Sequence, residues 1–362
     1  MSAENTNMKD IRRLCVDKNA TIMQTIQVLD DTHEKVVLVL DKEKLVGIVT
    51  DGDVRRWILK KGALTCEVSK MMCKKPRCIL EDSNEDAAVF MKNARIEAVP
   101  VVDAEMRPIN VIFLRDIVED SIIFRKKVNI PVVVMAGGKG TRLSPYTNIL
   151  PKPLIPIGET TILERIIDSF RKNGCDEFWL TLNYKKNLIK AYFDDKEVPY
   201  DLKYVEEENF LGTCGGLRLL QEHLKETFFL SNCDVLLDID YEALYTFHRE
   251  KHNAITIVTS LKHFQLPYGV MEFEKGGSIK KLAEKPEYNY QVNTGIYVVE
   301  PSVIADIPEN VVYDMTDLIN SLLHKGEKIG AYPITDGKWK DMGEFCAMQN
   351  MLESVQEMEG KE

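Results

Sequence analysis

Between residues 136 and 154 the chain reads AGGKGTRLSPYTNILPKPL. Gly137, Gly138 and Gly140 leave the backbone bare of Cβ atoms, so their N–H groups can close on an anion. Arg142 adds a guanidinium that can grip a phosphate through two parallel bonds. The spacing is neither the GxxxxGK[ST] of a Walker loop nor GxGxxG, because Leu143 holds the last position. Further on, Lys152 lies between Pro151 and Pro153, whose rings stiffen the backbone around its ammonium. Phosphate binding is the chemistry these residues offer. A plain turn and a surface lysine are the bland reading of the same residues.

Such residues need elements to hold them. IPVVVMA (130–136) reads as a buried strand that ends at the glycine loop. After it come ILERIIDSFRKNG as a helix, EFWLTLNY as a strand, LGTCGGLRLLQEHL as a helix and TFFLSNCD as a strand. The alternation predicts an α/β doubly wound sheet over residues 128–362, with ligands beyond the carboxyl ends of its strands. The glycine loop is in that place.

Residues 1–125 are patterned differently. VVLVLDKEKLVGIVTDGDVRR (36–56) overlies VPVVDAEMRPINVIFLRDIVE (99–119) when the chain is slid along itself by about 63 residues. Each copy reads helix, strand, turn, strand, helix, with turns at DKEK and DAEM. Two such copies can bury their sheets against each other as one α+β module. The junction FRKKVNIP (124–131) is basic and ends in proline, which puts a boundary near residue 127.

The bulk numbers agree with two domains: 362 residues, 44% of them hydrophobic. A net charge of −10 argues against nucleic acid as a partner, while leaving room for a local cationic pocket. The eight cysteines include no CxxC pair and read as reduced thiols. No apolar run approaches the roughly 20 residues that cross a bilayer, and MSAENTNMKD has no signal-peptide core. A soluble, cytoplasmic protein with no membrane partner is expected.

In the first half, GIVTDGDVRR resembles the nucleotide-contacting segment of CBS domains, and the whole half resembles a tandem CBS pair. The resemblance implies either an adenine nucleotide (AMP or ATP) or a ligand-free scaffold and dimerisation unit. With a ligand, Thr50 would meet phosphate and Asp53 the ribose hydroxyls. Asp53 could equally cap the helix that follows it. In the second copy Asp116 aligns with Asp53, but Phe113 replaces the threonine and leaves that site incomplete.

In the second half, GGKGTRL followed by LPKPL resembles the signature of sugar-1-phosphate nucleotidyltransferases. Six more segments continue the match in family order: EEENFLGTCGG (206–216), LSNCDVL (230–236), PYGV (267–270), AEKP (283–286), NTGIYV (293–298) and WKDMG (339–343). The fold implied is Rossmann-like with a mixed sheet. The reaction implied joins an NMP from an NTP to a sugar 1-phosphate and releases pyrophosphate. Asp234 and Asp341 would hold Mg²⁺ near the α-phosphate. Ala136, Gly137, Gly138, Gly140, Thr141 and Arg142 would cradle the departing pyrophosphate, and Lys152 would neutralise the α-phosphate. Glu207, Gly212 and Thr213 would meet the base. Tyr268, Gly269, Glu284, Lys285, Asn293 and Thr294 would meet the sugar and its phosphate. The nucleophile is mostly dianionic near neutrality, with a second pKa of about 6, so no general base is needed. Cys233 stands where the family commonly has glycine, and Glu344 and Phe345 replace its usual threonine and proline.

Pyrimidine-using relatives often place a glutamine at the position of Glu207. A carboxylate only accepts, which suits the adjacent donors of guanine, so GTP is the expected nucleotide. A solvated acidic loop of Glu206, Glu207 and Glu208 is the alternative. CBS pairs ahead of such a domain resemble enzymes that make GDP-activated hexosamine for nonulosonic acids, which favours glucosamine 1-phosphate over mannose 1-phosphate. Rival expectations are a pyrimidine nucleotide, or a nucleotide-sensing CBS protein with an inactive transferase-like half. A homodimer is expected in either case.

Overall fold

The computed structural model describes residues 11–83, 86–94, 96–117 and 127–342. The start of the FRKKVNIP junction, Gly343, Glu344 and Phe345 lie outside the described residues. The chain divides into two compact units, Met1–Arg125 with Pro333–Gly337, and Lys126–Tyr332 with Lys338–Glu362.

In the first unit the repeat is a repeat of topology. Strands Cys15–Asp17, Val36–Asp41 and Lys44–Thr50 form one three-stranded sheet, and Ile79–Leu80, Ala98–Val102 and Pro108–Phe113 form the other. In both, the first strand runs parallel to the second and the second antiparallel to the third. Even the register irregularity recurs, at Val39/Leu40 and at Val101/Val102. Helices Ile22–Thr32 and Ala87–Ala94 precede the central strands. The two copies share their cores: Val36 packs with Phe113 and Ala98, and Leu38 and Leu45 pack with Val102. A half with so short a strand set cannot bury its own sheet, which is why the repeat comes in twos.

The second unit is built on a seven-stranded mixed sheet. Its elements in chain order are β1 (Val132–Met135), α1 (Ile162–Arg171), β2 (Glu177–Leu182), α2 (Lys186–Asp194), β3 (Asp201–Glu206), β4 (Phe228–Asn232), α3 (Tyr241–Lys251), β5 (Ile255–Gln265), β6 (Glu287–Val299), α4 (Met315–His324) and β7 (Ile329–Ile334). The strand order is β3-β2-β1-β4-β6-β5-β7. Strands β3, β2, β1 and β4 are mutually parallel, and β6 is antiparallel to both β4 and β5. All four residues of β1 are buried, as the unbroken apolar run VVVM requires of a central parallel strand. Helix α1 starts where Thr161 and Glu164 cap each other's backbone N–H groups, and it buries Ile162, Leu163, Ile166, Ile167 and Phe170.

One expected helix is not an α-helix. Residues Gly215–Leu220 form a 3₁₀ turn instead. The adjacent glycines pack too closely for side chains. A Cβ at Gly215 would lie 2.9 Å from the Val311 carbonyl oxygen, and one at Gly216 2.4 Å from Oε1 of Glu207. Tertiary contact sets the backbone here, and helix propensity yields to it.

Candidate active site

Met135 at the end of β1 pairs with Asn232 at the end of β4. The glycine loop and Asp234 therefore leave the sheet side by side, where the strand order turns back on itself. Ligands of such sheets sit at that point.

At Gly138 an added Cβ would meet nothing within 4 Å, so its backbone opens on free space. Gly140 is left-handed (φ 64°), and a Cβ there would come within 3.1 Å of the Lys152 Cβ. That close approach lays the loop against the lysine. Arg142 is exposed on the short turn Thr141–Leu143.

Lys152 opens the turn Lys152–Leu154 between its two prolines. Its ammonium is ion-paired with the Asp234 carboxylate, and each side chain is only 11% exposed. A buried pair of this kind adds little net stability. What it does is keep a cation and an anion dehydrated beside the glycine loop. Burial pushes the neighbouring Cys233 thiol up to about 12, so it stays neutral and adds no charge next to Asp234.

Asp341 comes to the same place by strand pairing. Trp339–Asp341 runs antiparallel to Val235–Leu237 with Asp341 opposite Val235, and the Met342 N–H donates to the Asp234 carbonyl at 2.9 Å. Two carboxylates far apart in sequence thus become backbone neighbours. Mg²⁺ is usually held by one or two carboxylates, with water and substrate phosphate completing the shell. The pair fits that demand. Among the described residues no group of three His, Cys, Asp or Glu assembles, so a cation here would share its shell with substrate.

The acidic run after β3 splits into three roles. Glu206 pairs with Lys186 and Lys190 of α2, which together hold its carboxyl down to about 2. Glu208 lies in the turn beyond. Glu207 is 2% exposed and accepts from the Leu211 N–H at 3.0 Å. A Cβ at Gly137 would come within 3.2 Å of both its carboxylate oxygens. Glu207 therefore fills the space between the glycine loop and the Gly215–Gly216 turn, and burial raises its pKa above the ordinary 4.5. The solvated-loop alternative fails for this residue. Gly212 is left-handed (φ 83°), and Thr213 beside it bonds to Asp314.

The expected sugar contacts lie in the links that flank the hairpin Val270–Phe273/Ile279–Ala283 (Tyr268, Gly269, Glu284, Lys285) and within β6 (Asn293, Thr294). Tyr268 is 75% exposed. A Cβ at Gly269 would lie 3.0 Å from the Glu284 carboxylate, so these two are adjacent, and Lys285 is left-handed and exposed. Asn293 donates to the Tyr297 hydroxyl at 2.7 Å and accepts from the Gly295 N–H at 2.9 Å. The Thr294 side chain corrects the expectation. It is 2% exposed, and its hydroxyl donates to the Val258 carbonyl at 2.9 Å, where the β5–β6 register shifts. The bulged carbonyl needs a donor, and Thr294 is spent on it. Gly295 is left-handed (φ 85°) and sits so close to Asn232 that a Cβ would meet its amide nitrogen at 2.4 Å. This contact brings the β6 bulge to the end of β4.

Three residues to which the sequence reading gives no site role tie the site together. After β2, the Asn183 amide donates to the Glu207 carbonyl and the Tyr184 N–H to the Gly137 carbonyl, at 3.0 and 3.3 Å. The Tyr184 hydroxyl donates to the Thr147 carbonyl, and Lys185 donates to the carbonyls of Asn148 and Ile149. Polar residues at the carboxyl end of a parallel strand were the available signal. In the first unit, Asp53 accepts from both the N–H and the hydroxyl of Thr50, at 2.9 and 2.7 Å, and pairs with Arg56. The two candidate ligand residues thus form the cap of helix Asp51–Leu59.

Comparison with known proteins agrees with this architecture. The chain is 33% identical over 231 residues to a UTP–glucose-1-phosphate uridylyltransferase of Synechocystis, covering 58% of this chain and 59% of that protein. It is 30% identical over 219 residues to the catalytic subunit beta of a mannose-1-phosphate guanylyltransferase of Drosophila pseudoobscura, covering 59% and 58%. The chain thus spans about three fifths of the length of these curated relatives. In fold it is similar to HddC from Yersinia pseudotuberculosis, with a TM-score of 0.50 at 22% identity over 62% of this chain and 99% of that one. Residues 8–60 and 68–122 match the CBS domain, residues 131–357 match the nucleotidyl transferase family, and the chain belongs to that family with a tandem CBS pair ahead of it.

Proposed function

We propose that the protein is a sugar-1-phosphate nucleotidyltransferase. The observation that carries the reading is the buried Lys152–Asp234 pair, with the glycine loop laid against Lys152 at Gly140 and Asp341 paired beside Asp234. The reaction must bring two polyanions together and stabilise charge as a phosphate oxygen attacks the α-phosphorus in line. Glycine-loop N–H groups and Arg142 hold the leaving pyrophosphate. Lys152 sits between that loop and Asp234, where it can turn from one carboxylate to the phosphate under attack. Asp234 and Asp341 would hold Mg²⁺, which would supply Lewis-acid stabilisation at the α-phosphate. The exposed Glu284, Lys285 and Asn293 take the sugar phosphate.

GTP is the nucleotide we infer, supported by the guanylyltransferases among the relatives near 30% identity. The sugar is glucosamine 1-phosphate on the resemblance to CBS-fused transferases, with Glu284 accessible to an ammonium or a hydroxyl. A cytoplasmic dimer is the assembly we infer, on the resemblance to CBS modules and to this transferase family, both of which tend to associate. A pyrophosphate-release screen crossing four NTPs with glucosamine, mannose and glucose 1-phosphates tests the activity, the nucleotide and the sugar. Turnover is expected with GTP and glucosamine 1-phosphate. A preference for UTP or mannose 1-phosphate overturns the specificity, and no turnover with any pair overturns the activity.

A further inference from the structure

Facing the Gly212 turn, a second segment is stitched to it from a hundred residues away in sequence. The Tyr313 N–H donates to the Leu211 carbonyl at 2.9 Å, and the Cys214 and Gly215 N–H groups both donate to the Tyr313 carbonyl at 3.0 Å. Asp314 completes the seam. One of its carboxylate oxygens accepts from the Thr213 N–H at 2.9 Å and from the Thr213 hydroxyl at 3.0 Å. The same hydroxyl accepts from the Met315 N–H at 3.0 Å, at the start of α4. Gly212 has no room to move: a Cβ would meet the Tyr313 carbonyl at 2.7 Å and the Asp314 carboxylate at 2.9 Å.

We propose that Asp314 is a positioning residue for the nucleotide. It fixes Thr213, and through Thr213 the turn Leu211–Gly215. That turn is the link between α4 and the glycine loop, because the Leu211 N–H anchors Glu207 and Glu207 backs Gly137. Asp314 touches neither the Lys152–Asp234 pair nor the hairpin that carries Glu284. Its loss therefore loosens the nucleotide end of the site and leaves the attacking end in place. The carboxylate is suited to the work because it accepts two bonds on one oxygen without needing a donor of its own.

The inference rests on the transferase reading, and the test separates the two. Asp314→Ala, Asp314→Asn and Asp317→Ala are compared with the wild type by steady-state kinetics in both substrates. Asp314 is also the N-cap of α4, in a capping box with Asp317, which accepts from the Asp314 N–H at 3.2 Å but does not bond Thr213, so Asp317→Ala opens the same box without touching the turn. Asp314→Ala is expected to raise the KM for NTP about ten-fold, the scale of losing a charge-assisted pair of bonds. The KM for sugar 1-phosphate and the kcat at saturating NTP stay within about two-fold. Asp314→Asn, which keeps an acceptor oxygen, restores most of the loss, and Asp317→Ala leaves the KM for NTP unchanged. An unchanged KM for NTP in Asp314→Ala, or an equal rise in Asp317→Ala, overturns the assignment while the transferase stands. A wild type with no turnover on any pair overturns the transferase reading itself.

Discussion

At the scale of single residues, Glu207 is 2% exposed and its carboxylate backs the glycine loop, which corrects the expected base contact: its acceptors are not the signal for guanine. Its carboxylate is enclosed by the glycine loop, the Leu211 N–H and the Gly216 turn. Burial raises its pKa above 4.5, so ionisation is disfavoured in the folded state relative to the unfolded one. The linkage follows: stability is unaffected below about pH 4, falls as pH rises from the unfolded value through the raised folded value, and is flat above it. Glu207→Gln keeps the acceptor for Leu211 and removes the buried charge. Its Tm should equal the wild type's at pH 4 and exceed it at pH 7. Parallel Tm curves across that range would show that the carboxylate carries no such penalty. Nothing in the run EEE marks which glutamate is buried; that depends on Gly137 and Gly216, which lie 70 residues before it and nine after it.

Elements were legible where their signals are local. The apolar run VVVM, the helical stretch ILERIIDSFRKNG and the doubled strand-turn-strand pattern of the first half all name their own structure. The Gly215–Leu220 turn, the inward Thr294 and the Asn183–Lys185 hub were not legible, because each is set by a partner distant in sequence. The cap of helix Asp51–Leu59 lies between these cases. Asp53 reads both as a ligand contact and as a cap and Thr50 as a ligand contact, and the structure holds the two together as the cap. We propose that an adenine nucleotide displaces part of that bonding, since Thr50 and Asp53 are both only partly buried. Calorimetry of AMP and ATP against the wild type should show binding that Asp53→Ala abolishes. Binding untouched by the substitution, or none to the wild type, removes the ligand from this helix start.

Over the whole molecule, two units have separate builds. The CBS pair closes its own core, and the second unit gathers the candidate site at the ends of β1 and β4. The sequence alone divides the chain into residues 1–125 and 128–362, and the resemblance names both carboxylates; the compact units add Pro333–Gly337 to the first. The antiparallel pairing that makes Asp234 and Asp341 neighbours, and the ion pair that buries Lys152, came only from the fold. That ion pair also shapes the choice of variant. Lys152→Ala would strand the Asp234 charge in a buried place, at a cost of about 3–5 kcal/mol, and confuse lost chemistry with lost stability. Asp234→Asn removes the charge and leaves the lysine an amide oxygen. Pyrophosphate release by Asp234→Asn, measured with saturating substrates alongside its circular dichroism, is the most direct test. The account predicts a native spectrum with turnover lowered by about a thousand-fold or more. Turnover near the wild-type rate would contradict it.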